Sequence, residues 1–203
     1  MTEFFMTRKE DQLVSGIDKV RKEAGGFDIE KVEKYIEAKP DEVLGYVAKA
    51  VILGGMKRYE EAQKFLTQTQ SKFSANGLLH HARATIYERQ GKRAEAINES
   101  REAVRLNPYS PEIILTFGTL LNRAGRYDEA KEVWKDILKI DPKVAPAWNS
   151  LAKTEFETGD YKAAIDHSTA AIMLAEGTPL KYRFLQNRSQ IRLANSDLEG
   201  ALE

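Results

Sequence analysis

The side chains best suited to chemistry near neutral pH are three histidines, and their placement decides against catalysis and against a metal. His80 and His81 are adjacent in a helical pattern, so their rings leave the helix in different directions. His167 falls in a separate segment with no evident ligand set around it. The chain holds no cysteine, which removes disulfides, thiolate nucleophiles and cysteine-dependent zinc or iron–sulfur sites. Gly91-Lys92 lacks the upstream glycine of a phosphate-binding loop, and no strand-linked GxGxxG is present. We therefore expect no catalytic, cofactor-binding or metal-binding residues. What does recur is cationic. Arg89 and Arg123 stand 34 residues apart, with Lys153 one helical turn away in the next unit. A guanidinium fork of this kind holds a carboxylate or a phosphate through two parallel hydrogen bonds.

The elements that position these side chains follow from the same period. Lys57–Ala62, Gly91–Ala96, Gly125–Ala130 and Gly159–Ala164 are four versions of one string, each 34 residues after the last. A fixed period of that length is the signature of stacked helical hairpins. Small residues recur at Gly16, Ala50, Ala84, Gly118 and Ala152, and alanines at Ala62, Ala96, Ala130 and Ala164. Paired small residues let two helices approach closely, while Tyr127, Trp134 and Trp148 fill the larger spaces. Gly91, Gly125 and Gly159 fall just past an amphipathic segment, where a left-handed turn ends the first helix of each hairpin. Asn107-Pro108 and Asp141-Pro142 stop the second helices. Ser110-Pro111 and Thr178-Pro179 offer an N-cap and a first-turn proline to the helices that follow.

These columns resemble the tetratricopeptide repeat (TPR), most closely over Pro111–Val144, where Phe117-Gly118, Gly125, Tyr127, Ala130, Trp134 and Pro142 take the family's places. The resemblance implies an all-α, right-handed superhelical solenoid of about eleven helices in antiparallel hairpins, with the first helices on a concave face. It also implies the groove-facing residues: His81, Thr85 and Arg89, then Leu115, Thr119, Asn122 and Arg123, then Asn149 and Lys153, with an apolar stretch at Leu44, Val47, Ala48 and Val51. The family's carboxylate clamp and its asparagine ladder are both unsupported, because the corresponding places hold residues such as Ala48, Ala82, Thr116 and Ser150.

Residues 1–42 fit the frame loosely and read as a degenerate capping repeat. Residues 43–76 form a divergent repeat with Lys57 in the place of the turn glycine and Ser74 in that of the proline. Regular repeats follow at 77–110, 111–144 and 145–178, and 179–203 reads as an incomplete one. A helix is expected from Thr178-Pro179 to about Ala194, with Ser196–Ala201 as a further repeat turn displaced by three residues. The uncovered hairpin leads us to expect that the chain continues beyond Glu203.

Composition agrees with a water-exposed array. Apolar residues make up 42% and charged residues 31%, no apolar run is long enough to span a membrane, and Phe4-Phe5-Met6 gives way at once to Arg8-Lys9-Glu10-Asp11. The expected location is cytoplasmic. Basic and acidic residues are equal at 31 each, so the summed charge provides no drive toward nucleic acid. The motifs Asn98-Glu99-Ser100 and Asn187-Arg188-Ser189 match the glycosylation pattern but lie in helical segments, and we read them as accidental. The leading expectation is a protein-interaction scaffold or adaptor without enzymatic activity, holding a peptide or protein segment, acidic in character, in its groove. One alternative is the regulatory or substrate-recruiting region of a larger enzyme such as a transferase. The other is a self-associating assembly protein.

Overall fold

The computed structural model describes residues 13–195, and among these every regular element is a helix. The first six are α1 (Leu13–Glu23), α2 (Ile29–Ala38), α3 (Val43–Gly55), α4 (Tyr59–Lys72), α5 (Gly77–Arg89) and α6 (Arg93–Leu106). They are followed by α7 (Pro111–Arg123), α8 (Tyr127–Ile140), α9 (Ala145–Glu157), α10 (Tyr161–Leu174) and α11 (Leu180–Ala194). The chain divides into two compact units, one ending at Ile113 and the other beginning at Ile114, so the division falls inside α7. The expected turn at Ser196–Ala201 lies outside the described residues.

Each hairpin turn is built by the backbone device that the glycines announce. The amides of Lys92, Arg126 and Asp160 reach back to the carbonyls of Tyr87, Leu121 and Glu155 at 2.9–3.0 Å. This closure requires a left-handed residue between them, and Gly91, Gly125 and Gly159 supply it with φ of 76°, 75° and 82°. In the divergent repeat the same closure, Arg58 N–H to Leu53 O at 2.9 Å, is made around Lys57 at φ 61°. The turn is kept and a side chain bears the strain.

In the first unit α3 packs against α1, α2, α4 and α5, and α5 packs against α6. Val20, Val32, Val47, Ala48, Leu53, Leu66, Leu79 and Ile113 are buried in one continuous core. In the second unit α9 packs against α8, α10 and α11, and α10 against α11. Small residues govern the approach here. A Cβ on Gly118 would lie 2.5 Å from the Trp134 ring, so the glycine admits the indole, whose Nε1 donates to the buried Thr154 hydroxyl at 3.0 Å. Ala152 and Ala164 meet in a cluster closed by Ile191.

Two aromatic residues brace the entry to their hairpins in the same way. The Tyr46 hydroxyl donates to the Pro40 carbonyl at 3.0 Å, and the Trp148 indole donates to the Pro142 carbonyl at 2.8 Å. One expected cap is corrected. The Thr178 hydroxyl donates backwards to the Ala175 carbonyl, and Pro179 itself occupies the N-cap of α11, so that helix begins without a side-chain cap.

Candidate binding surface

Within the first unit, His81, Thr85 and Arg89 follow one another at successive turns of α5 and differ sharply in access. His81 is only 3% exposed, and its Nδ1 has no hydrogen-bond partner. Burial pushes its imidazole pKa down to about 4, because a charged ring there would lose its hydration without a compensating contact. His81 therefore shapes the wall of the unit and offers no surface. Thr85 is half-buried, its hydroxyl turned back to the His81 carbonyl at 3.0 Å. Arg89 is exposed at the end of α5. A Cβ on Gly55 would come within 3.6 Å of its guanidinium, so the glycine-ended α3 leaves room beside that head group. The apolar stretch expected on α3 is largely enclosed, Val47 and Ala48 being fully buried.

In the second unit, Leu115 and Thr119 are half-buried and linked, the Thr119 hydroxyl donating to the Leu115 carbonyl at 2.8 Å. Asn122 is half-buried, with an Oδ1 that finds no partner, and Arg123 and Lys153 are exposed. Asn149 is buried, because its Oδ1 accepts a hydrogen bond from Asn187 of α11 at 2.8 Å. In the sequence Asn187 reads only as part of an accidental glycosylation motif. Its separation from Asn149, one repeat plus one helical turn, was the available signal.

The cations differ in whether a carboxylate holds them. Several are used locally: Arg58 with Glu61, Arg105 with Glu102, Arg126 with Glu129, Lys135 with Glu132 and Lys139 with Asp136 all form i,i+3 ion pairs, and on first helices Lys49 pairs with Glu33 and Arg83 with Glu99. The Arg89 and Lys153 head groups form no ion pair with the described residues.

Two polar clusters escaped the sequence reading. In the first unit, His80 Nδ1 lies 2.7 Å from Glu99, His80 Nε2 lies 3.0 Å from the Gln70 amide nitrogen, and Arg83 donates to Gln70 Oε1 at 2.8 Å. In the second, His167 Nδ1 lies 2.7 Å from the buried Glu155 carboxylate, and its ring lies 5.1 Å from that of Trp148. No helix among the described residues is long and apolar enough to cross a membrane.

Models of the tetratricopeptide repeat match residues 87–154 and 145–178. A BBSome complex member BBS4 homolog of Drosophila melanogaster is 24% identical over 157 residues, which are 77% of this chain and 32% of that protein. The chain thus spans about a third of the length of that curated relative. Among solved structures, yeast Tom70 superposes with a TM-score of 0.75 at 16% identity, covering 97% of this chain and 44% of Tom70. YrrB, described as a TPR protein with an unusual peptide-binding site, gives 0.63 at 17% identity over 86% of this chain and 89% of its own. Residues 87–178 thus match the tetratricopeptide repeat, and the fold class is the all-α solenoid of helical hairpins. That fold supports a role in protein–protein interaction, and its members are in general non-catalytic scaffolds.

Proposed function

We propose that this chain is an adaptor without catalytic activity that binds an acidic protein segment along its first helices. The observation that supports this most directly is the pair of exposed first-helix cations that have no internal counter-ion. Arg89 and Lys153, on first helices, are exposed and form no ion pair with the described residues. A charge without an internal partner is available to one on a ligand, where desolvation at contact strengthens the pair. Arg123 occupies the same register as Arg89 one repeat on. Thr85 on α5 in the first unit, and Leu115, Thr119 and Asn122 on α7 in the second, are half-buried on these helices. His81 and Asn149 enter only as wall residues, since both are buried. A preformed helical surface leaves most of the ordering entropy to be lost by the ligand.

The test is fluorescence anisotropy with extended peptides in acidic, phosphorylated, neutral and basic series, at low and moderate salt. The wild type should prefer the acidic and phosphorylated series. The Arg89→Glu/Arg123→Glu/Lys153→Glu protein should lose about tenfold or more in affinity, together with the salt dependence. Equal binding by both proteins at both salt concentrations removes these residues from the site. Concentration-dependent growth in mass by light scattering, abolished by the same reversal, would point to self-association through this surface.

A further inference from the structure

The junction of α4, α5 and α6 holds four polar side chains where the next repeat places hydrocarbon. Gln70, His80, Arg83 and Glu99 correspond, one period on, to Val104, Ile114, Phe117 and Val133. Their hydrogen bonds determine where the protons sit. A guanidinium can only donate, so Arg83, 2.8 Å from Gln70 Oε1, fixes the amide with its oxygen toward the arginine and its NH2 toward His80. That NH2, 3.0 Å from His80 Nε2, must donate, and Nε2 must therefore be bare. The imidazole proton is left on Nδ1, where it is donated to Glu99 at 2.7 Å. The ring is thus held neutral in one tautomer, as the link between α4 and α6.

We infer that this cluster is a pH-operated clasp on the seam between the second hairpin (α3–α4) and the third (α5–α6). Protonation at Nε2 sets an N–H against the Gln70 NH2. Rotating the amide offers no escape, because it would then turn NH2 toward the guanidinium. The Gln70 tie is lost, while the Glu99 tie now joins opposite charges and tightens. The groups facing the ring are Gln70 from α4, Arg83 on α5, which opposes a second positive charge, and Glu99 and Glu102 on α6, which favour it. Acidification thus detaches α4 from α5 and leaves the α5–α6 hairpin intact. The inference is independent of what the first helices bind.

Two measurements on the full chain test it. Long-range proton–nitrogen correlation should find His80 as the Nδ1–H tautomer at pH 7.5, and an Nε2–H tautomer overturns the inference without recourse to a variant. Hydrogen exchange, corrected for intrinsic rates, is then followed from pH 7.5 to 5.5 in His81→Leu protein, which removes the buried neighbouring histidine. Amides of α4 from Gln68 to Phe73 should lose about tenfold in protection, and those of α6 from Ile97 to Ala103 should not. In Gln70→Glu protein a carboxylate accepts from both Arg83 and the imidazolium, and the acid sensitivity of α4 should vanish or reverse. Equal loss in α4 and α6, or the same loss with and without Gln70→Glu, shows general acid fraying and overturns the clasp.

Discussion

The third hairpin (α5–α6) and the fifth (α9–α10) place the same two register positions against each other and fill them in opposite senses. In the third, His80 on the first helix meets Glu99 on the second through a 2.7 Å hydrogen bond. In the fifth, Trp148 takes the place of His80 and His167 that of Glu99, and the two meet as rings. His167 then turns its Nδ1 to Glu155, which stands in a column otherwise held by Leu53, Tyr87 and Leu121. Each hairpin has one histidine–glutamate tie, but only the third passes its tie on to the preceding hairpin, through Gln70 and Arg83. The fifth keeps its polar contact within the hairpin and uses Trp148 to brace the Pro142 carbonyl. The difference shows that the hairpin frame is set by glycine turns and small residues, while these positions decide whether the histidine–glutamate tie is passed on to the preceding hairpin.

The strongest break of this comparison removes one member of the polar junction. Glu99→Val leaves Arg83, only 8% exposed, without its carboxylate and His80 Nδ1–H without an acceptor. The loss of stability in the first unit should be about 3 kcal/mol, the lower end for stripping a buried ion pair, because the Glu99 side chain retains 22% exposure. The fourfold change Gln70→Val/His80→Ile/Arg83→Phe/Glu99→Val copies the following repeat, and most of the lost stability should return. Urea denaturation of both proteins decides. A fourfold variant no better than Glu99→Val would mean that the junction cannot be replaced by the repeat's own hydrocarbon.

How much of this was legible in sequence depends on the kind of residue. The turn glycines and the small-residue columns were readable because backbone conformation and close approach admit few residue types, and Lys57 was recognisable as an exception by its column. The register also located Arg89 and Lys153 on first helices. It did not reveal that His81 and Asn149 are buried, because a column gives a direction on the helix and not what packs over it. The burial of Asn149 depends on Asn187, whose side chain follows no column. Nor could it show the Gln70–His80–Arg83–Glu99 cluster, whose members come from three helices and are tied by rotamers rather than by spacing. The cap at Thr178 failed for a related reason: the hydroxyl had a nearer acceptor behind it.

A second difference within the third hairpin is between His80, which is hydrogen-bonded, and His81, which is buried without a partner. The unfolded imidazole titrates near 6.5 and the folded one near 4. Between those values the unfolded chain binds more protons, so stability rises with pH across the window, is fully present above about 6.5 and is lost as pH falls toward 4. The expected loss over that window is about 3 kcal/mol. His81→Leu, which borrows the residue at Leu115, should remove it. Denaturation midpoints measured from pH 7.5 to 4 check this, and an unchanged slope in the variant would assign the acid sensitivity to other groups.

The smallest effect concerns the turns, where the two units differ in the residue that takes the left-handed conformation. The second unit uses glycine at 125 and 159, whereas the first uses Gly91 once and holds Lys57 at φ 61° in the equivalent turn. A left-handed residue with a Cβ costs about 1–2 kcal/mol, and a glycine costs up to about 1 kcal/mol in added freedom of the unfolded chain. Lys57→Gly should therefore stabilise the first unit by about 0.5–1 kcal/mol. The converse change, Gly125→Lys, should destabilise the second unit, since nothing there has adapted to a side chain and the same strain would be newly imposed. The comparison sharpens if only the first substitution stabilises. If Lys57→Gly instead lowers the denaturation midpoint, then the lysine contributes contacts at the α3–α4 turn that outweigh its backbone strain, and the divergent turn is held by its side chain.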